Sequence, residues 1–88
     1  MAKTFTFHND PGHGWIEVSW VDLKDLNLNP CDFSKYSHRR GNTFFLEEDC
    51  DGLKFAEAYK AKHGAHAQFG DLYHPGSAFI RNLPSIHS

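Results

Sequence analysis

The chain has 88 residues, which suits a single domain over residues 1–88, because single hydrophobic cores usually span about 100–150 residues. Its apolar content of 40% excludes a disordered chain, and its net charge of −2, from nine basic and eleven acidic residues, argues against tight binding to nucleic-acid phosphates. No apolar run approaches the ~20 residues of a membrane span, so we expect no membrane insertion.

Two strands are predicted at the start of the chain. Residues 4–8 and residues 15–19 both alternate apolar and polar side chains, which is the period of a half-buried strand. Between them, the stretch NDPGHG at residues 9–14 is rich in turn-forming residues, because Asn and Asp bond their own backbone, Pro fixes φ and Gly permits positive φ. We therefore expect an antiparallel hairpin.

A short helix and a loop should follow this hairpin. Ser19 and Asp22 have the spacing of a helix start, in which a hydroxyl caps the first turn and an acid three residues later bonds back. The pattern predicts a helix over residues 20–26, with three side chains directed inward: Trp20, Leu23 and Leu26. Residues 27–37 are typical of a loop, because they contain Pro30 and several turn-forming residues.

The middle of the chain predicts a second hairpin and the main helix. Residues 36–48 indicate two strands joined at Gly41 and Asn42, an order that suits a turn with positive φ at its first central residue. Residues 50–63 then repeat apolar side chains at helical spacing. Gly64 follows cationic residues that suit the last carbonyls of a helix, and it is a typical helix end.

The C-terminal quarter predicts one more strand and a docked tail. Residues 65–73 suit a last strand, and residues 74–88 carry four large apolar side chains that favour docking: Phe79, Ile80, Leu83 and Ile86. We therefore predict an α+β fold. It contains a small antiparallel sheet of about four strands, one main helix packed across the sheet and a shorter second helix.

The stretch FLEEDCDG at residues 45–52 places four carboxylates around one cysteine. One interpretation is a helix start, because Asp49 can serve as N-cap and Asp51 is favoured on the first turn by the helix dipole. Glu47 and Glu48 have no such role. The second interpretation is a partner-binding surface made by all four acids, whose charge would hold a basic site on another protein. The sequence leaves both open.

Catalytic and metal sites receive little support from the sequence. Cys50 lies near a predicted helix start, which favours a thiolate, but its carboxylate neighbours oppose ionisation, so we expect a small buried residue. The seven histidines lack the His-x-x-x-His spacing of one helical face, and we expect them to be scattered on the surface. PGHGW at residues 11–15 lacks the spacing of a phosphate-binding loop. We predict no catalytic residue, no metal and no cofactor.

The number of cysteines and the composition of the first ten residues indicate the cellular compartment. Cys31 and Cys50 are too few for a disulfide scaffold, and we expect reduced thiols in a cytosolic protein. The first ten residues lack the apolar core of a secretion signal. Two alternative functions stay open: a small metal-dependent or thiol enzyme, and a weak nucleic-acid-binding accessory protein that acts through Arg39 and Arg40.

Several stretches resemble a family of short, mostly uncharacterised proteins of phages, prophages and plasmids. They are DPGHGWIEV at residues 10–18 and FFLEEDCDGLKF at residues 44–55, with YS at residues 36–37 and FIR at residues 79–81. Phe45 stands where this family typically has tyrosine, and FIR where it often has PIR. The resemblance covers about residues 4–81 and implies an origin in a mobile element, without a catalytic assignment.

That origin implies a function in the cytoplasm of a host cell. Small phage proteins without enzymatic motifs often bind host proteins, and anti-CRISPR and anti-restriction inhibitors have this size. We therefore predict a non-enzymatic accessory protein that binds a host protein, such as a nucleic-acid-targeting defence complex. Glu47, Glu48, Asp49 and Asp51 would block a nucleic-acid-binding site on that partner.

Overall fold

The order of strands and helices follows the sequence closely. In this computed structural model, which describes residues 3–87, the elements are β1 (Thr4–Asn9), β2 (Gly14–Ser19), α1 (Trp20–Asp25), β3 (His38–Arg40), β4 (Thr43–Glu47), α2 (Asp51–His63) and β5 (Gln68–Tyr73). Single 3₁₀ turns occupy Pro30–Asp32 and Phe79–Asn82. The predicted α+β class, with one main helix and a shorter second helix, is confirmed.

The strands form one sheet in the order β3-β4-β2-β1-β5. Both predicted hairpins are present, with β1 antiparallel to β2 and β3 antiparallel to β4. The sheet has five strands where about four were expected, and β5 runs parallel to β1. This direction follows from α2, which carries the chain from β4 across the sheet so that β5 returns in the direction of β1 and β4.

The main core lies between the sheet and α2. Its strand residues alternate with outward-facing ones, and the buried members are Phe5, Ile16, Val18, Leu23, Phe33, Phe44, Leu46, Phe55, Tyr59 and Ile86. The Phe5 ring meets Phe55 and Tyr59 edge-on, with centroids 5.1 and 5.7 Å apart. Such aromatic pairs add about 0.5–1.5 kcal/mol beyond the burial of their area. α2 ends as predicted, with Gly64 in the left-handed conformation at φ 73°.

The C-terminal tail covers the opposite face of the sheet. Trp15 and Phe45 project from the strands into a second cluster with Ala78 and Ile80, and Leu83 packs against it. The predicted docking of the tail is therefore confirmed. This second cluster exists because strand alternation sends Phe45 to the face opposite its neighbours on β4.

The first helix begins as predicted and packs less deeply than expected. Ser19 and Asp22 form the reciprocal bonds of a capping box, from Asp22 N–H to Ser19 Oγ and from Ser19 N–H to the Asp22 carboxylate. Of the three side chains expected to point inward, Leu23 is buried and Leu26 is half-buried. Trp20 is 38% exposed, and its ring lies beside that of Phe44 with centroids 6.3 Å apart. No helix among residues 3–87 is long and apolar enough to cross a bilayer.

Candidate protein-interaction site

The acids that precede α2 do not share one role. α2 begins at Asp51, so the N-cap residue is Cys50. The Cys50 side chain makes no capping hydrogen bond. The Glu47 carboxylate accepts hydrogen bonds from the N–H groups of Asp49 and Cys50, at 3.0 and 3.3 Å. The prediction that Asp49 is the N-cap is therefore wrong. Glu47, placed at the end of β4, serves the turn before the helix instead.

Asp51 belongs to the interior. Its side chain is buried, with 2% of the residue exposed, and it accepts bonds from the N–H of Ser34 at 3.0 Å and from its hydroxyl at 2.7 Å. The Ser37 hydroxyl also donates to Asp51, and it accepts the N–H of Glu47 at 2.9 Å. This network ties the loop before β3 to the start of α2. Asp51 is thus removed from the predicted partner-binding surface, because its oxygens are occupied and shielded from solvent.

Glu48 and Asp49 differ from the other acids near them. Both are exposed, and neither carboxylate makes a hydrogen bond or ion pair within residues 3–87. The backbone of Glu48 is nevertheless fixed, because its N–H donates to the Gly14 carbonyl at 3.1 Å. Gly14 is required there, since a Cβ would lie 2.5 Å from Phe7 Cζ and 3.0 Å from Glu48 Oε2. The close approach of β2 therefore holds Glu48 in place.

These two acids stand at the edge of a groove between α2 and the β1–β5 side of the sheet. The groove has a volume of about 470 Å³. Its apolar wall consists of Phe7, Ile16, Leu53, Ala56 and Phe69, and its acidic rim consists of Glu48, Asp49 and Asp71. We call this feature the acidic groove. None of its lining residues is basic.

Asp71 and Phe69 reach the groove through the pairing of β5. The register places Phe5 beside Phe69 and Phe7 beside Asp71 in a parallel ladder, so these side chains lie on the face that α2 covers. Leu53 and Phe69 are unusually exposed for large apolar side chains, at 55% and 41%. Leu53, Phe69 and Asp71 were not predicted as site residues. The sequence feature that could have indicated this site is Asp71, the single acid in the last predicted strand, between Phe69 and Leu72.

A second cleft, of about 460 Å³, brings together the stretches that carry the family resemblance. It is lined by His13 and Trp15 of the first stretch, Tyr36 of the second, Glu47, Asp49 and Cys50 of the third and Arg81 of the fourth, together with Lys35 and His38. Cys50 is exposed, so the expectation of a buried thiol is wrong. The helix starts one residue later than Cys50, which leaves this side chain on the outer surface of the turn.

The second cleft brings no base into hydrogen-bonding contact with this thiol within residues 3–87. Among the described residues, Cys50 makes no hydrogen bond to a histidine, although His13 and His38 line the same cleft. Glu47 and Asp49 line the cleft beside it. A nucleophilic thiol would need a base within hydrogen-bonding distance of its sulfur.

An ion pair closes one side of the second cleft. The buried Asp10 carboxylate accepts bonds from Arg81 Nε at 2.6 Å and Nη2 at 2.8 Å, and from the N–H of Ala78 at 3.0 Å. The Arg81 guanidinium holds the pKa of Asp10 far below its usual range, and Asp10 in turn raises the pKa of Arg81. The Arg81 guanidinium therefore connects the tail to Asp10, the residue that follows β1.

The histidines are less scattered than predicted. His8 is buried, and its ring is hydrogen-bonded to His74 at 3.0 Å and to the Glu17 carboxylate at 2.7 Å. His63 contacts Asp25 at 3.0 Å. Within residues 3–87, no group of three His, Cys, Asp or Glu side chains has the arrangement of a metal site. Arg39 and Arg40 of the second hairpin both contact aromatic rings, since the guanidinium of Arg39 lies over Phe44 and that of Arg40 over Phe79.

Other proteins add no assignment to this geometry. Comparison with protein-family models, with curated proteins and with solved structures finds no match to the chain. The resemblance to mobile-element proteins therefore stays a prediction. The acidic groove is the feature whose shape and charge point most directly to a function, because it combines exposed apolar side chains with acids that no described cation neutralises.

Proposed function

We propose that this is a non-enzymatic accessory protein of phage type that binds a host protein through the acidic groove. The supporting observation is the combination of an apolar wall with Glu48, Asp49 and Asp71 on its rim and no basic residue in its lining. Acids on α1 are compensated, as Asp22 is by Lys3 at 2.6 Å and Asp25 by Lys62 at 2.7 Å. The groove is thus left with negative charge for a partner to neutralise.

The two parts of the groove contribute differently to binding. Full burial of a large apolar side chain is worth about 1.5–3 kcal/mol, so covering the half-exposed Leu53 and Phe69 would contribute roughly 1 kcal/mol each. Carboxylates on an exposed rim add less affinity, but they attract a basic partner and orient it. We therefore expect an apolar contact in the centre of the interface and a dependence of the association rate on salt.

The partner class follows from this charge. A protein site that binds nucleic acid carries lysine and arginine side chains that phosphates normally neutralise. Carboxylates of the acidic groove would replace those phosphates and block the site. We therefore propose that the protein acts in the host cytoplasm as an inhibitor of a nucleic-acid-targeting defence complex, of the anti-CRISPR or anti-restriction kind, without a cofactor.

The test compares captured host proteins between variants of equal net charge. Glu48→Gln combined with Asp49→Asn removes two negative charges from the rim. Ser77→Lys combined with Asn82→Lys adds the same charge at exposed positions of the tail, outside the groove lining. Each variant and the wild type would be used as bait in host lysate, with quantitative mass spectrometry.

A partner that fits the proposal is retained by the wild type and the tail variant and is lost from the rim variant. The purified partner should then bind the wild type more weakly as salt rises, and it should lose its nucleic acid on binding. Equal capture by the rim variant and the wild type would contradict the proposal, since the carboxylates would then contribute nothing to recognition.

A further inference from the structure

Within residues 3–87, one edge of the sheet is covered by the tail and the other edge is uncovered. The tail covers the edge at β3, where the Arg39 N–H donates to the Pro84 carbonyl at 3.0 Å and the Ile86 N–H donates to the Ser37 carbonyl at 2.9 Å. A bridge between His38 and Ser85 completes this contact. The edge at β5 carries no further strand in the part of the chain that the structure describes. All six residues of β5 are exposed.

The register of β5 shows which backbone groups face outward. The His74 N–H donates to the Asn9 carbonyl at 2.7 Å, in continuation of the ladder between β5 and β1. In a regular strand, alternate residues direct both backbone groups to the same side. The N–H and C=O groups of Phe69, Asp71 and Tyr73 are therefore directed away from β1. An uncovered row of this kind is a template for another strand.

The outward row and the acidic groove share residues. Phe69 and Asp71 line the groove with their side chains, and their backbone groups lie on the free edge. A strand added to β5 would place every second side chain next to this wall, because alternate side chains lie on one face of a sheet. A lysine side chain there can cover Phe69 with its aliphatic stem and pair with Asp71 through its ammonium group, and the apolar residues between the lysines then lie on the opposite face, beside Leu72.

We infer that the partner segment is an extended strand that alternates basic and apolar residues and pairs with the outer edge of β5. This inference rests on the proposed function and specifies how the acidic groove is occupied. Main-chain bonds to Phe69, Asp71 and Tyr73 provide affinity, and the side chains at the groove provide selectivity. The far face of the added strand can cover Leu72, which is 48% exposed.

A second copy of the chain fits this edge poorly. Antiparallel pairing across the middle of β5 would bring Asp71 opposite, or diagonally next to, Asp71 of the copy. It would also bring the Glu48 and Asp49 carboxylates of two grooves to the same interface. Like charges directly opposite in a ladder are destabilising. The charge of the edge therefore favours a basic partner over self-association.

The experiment uses a synthetic peptide of about eight residues that alternates lysine and valine. Its control has the same composition in Lys-Lys-Val-Val blocks, which places no single residue type on one face of a strand. Binding would be followed by NMR on the full chain at low and high salt. Amide exchange at Phe69, Asp71 and Tyr73 would report strand addition.

The alternating peptide should bind at least tenfold tighter than the block peptide, and it should slow amide exchange at these three residues. Asp71→Pro removes one outward N–H and should reduce binding further than Asp71→Asn, which removes only the charge. Binding that shifts the resonances of Leu53 and Ala56 without slowing exchange on β5 would overturn strand addition and leave the acidic groove as the site. Failure of both peptides to bind in a salt-dependent way would overturn the proposed function as well.

Discussion

Asp10 and Arg81 lie 71 residues apart in sequence and form a two-bond ion pair, with Nε to Oδ2 at 2.6 Å and Nη2 to Oδ1 at 2.8 Å. Asp10 follows β1, and Arg81 belongs to the 3₁₀ turn of the tail. The guanidinium also lies 5.6 Å from the ring centroid of Trp15. This pair therefore joins the first hairpin to the segment that covers the second face of the sheet.

Replacing Arg81 by Ala should loosen the tail, because the buried Asp10 carboxylate loses its cation and keeps only backbone N–H donors. We expect a lower melting temperature, faster amide exchange at Ala78 and Ile80, and a changed fluorescence of Trp15. Lys24→Ala, which removes an exposed cation on α1, is the control. Unchanged exchange at Ala78 would show that apolar contacts alone hold the tail.

The same pair predicts how stability depends on pH. The pKa of Asp10 is lowered in the folded protein by Arg81, and that of Asp25 is lowered by Lys62 and His63. A lowered pKa contributes stability above the unfolded value of about 3.9, and this contribution is lost as pH falls toward the folded value. Asp10→Asn should therefore be less stable than wild type at pH 7, with a difference that shrinks below about pH 4. Parallel denaturation curves from pH 7 to pH 3 would contradict this.

Asp51 and Glu48 provide a matched pair of acids from the same stretch. Asp51→Ala should cost about 2–3 kcal/mol of unfolding free energy, because the Ser34 and Ser37 donors lose a charged acceptor. Glu48→Ala should change stability by less than about 0.5 kcal/mol, since its carboxylate is exposed. Urea denaturation measures both. Similar costs for the two substitutions would show that burial does not separate their roles.

Substitutions of Glu48 and Glu47 should affect different properties, partner binding for Glu48 and stability for Glu47. Glu48→Lys should leave the melting temperature nearly unchanged and weaken partner binding by about 1–3 kcal/mol, with a weaker salt dependence than wild type. Glu47→Ala should cost about 1 kcal/mol of stability, because the N–H groups of Asp49 and Cys50 lose their acceptor. Asp49→Ala should have little effect on stability, since Asp49 does not cap α2. Calorimetry with the captured partner would measure the binding terms.

Cys50 tests the thiol-enzyme alternative. Both cysteines are exposed, so Cys31 is an internal reference for the reactivity of an exposed thiol. In single-cysteine variants, Cys50 should react with an alkylating reagent at pH 7 no faster than Cys31, because neither sulfur is hydrogen-bonded to a base within residues 3–87. Cys50→Ser should also keep partner binding. Rapid labelling of Cys50 below pH 7 would instead support a nucleophilic thiol.

Local chemistry determined much of this fold from the sequence. Alternating residues in β1 and β2, the capping box at Ser19 and the positive φ of Gly41 all depend on neighbours within a few positions. The end of α2 at Gly64 has the same local origin. Sequence patterns report such short-range preferences directly, which is why the order of elements and the turn between β3 and β4 were predicted correctly.

Tertiary structure decided which residues share a surface. Asp51 is buried only because the loop that contains Ser34 and Ser37 folds over the start of α2. Asp71 joins Glu48 only because β5 pairs parallel with β1 rather than with another strand. Periodicity identifies the two faces of a strand but not its neighbour in the sheet. The acidic groove therefore depends on long-range pairing, which is selected by the packing of the whole core.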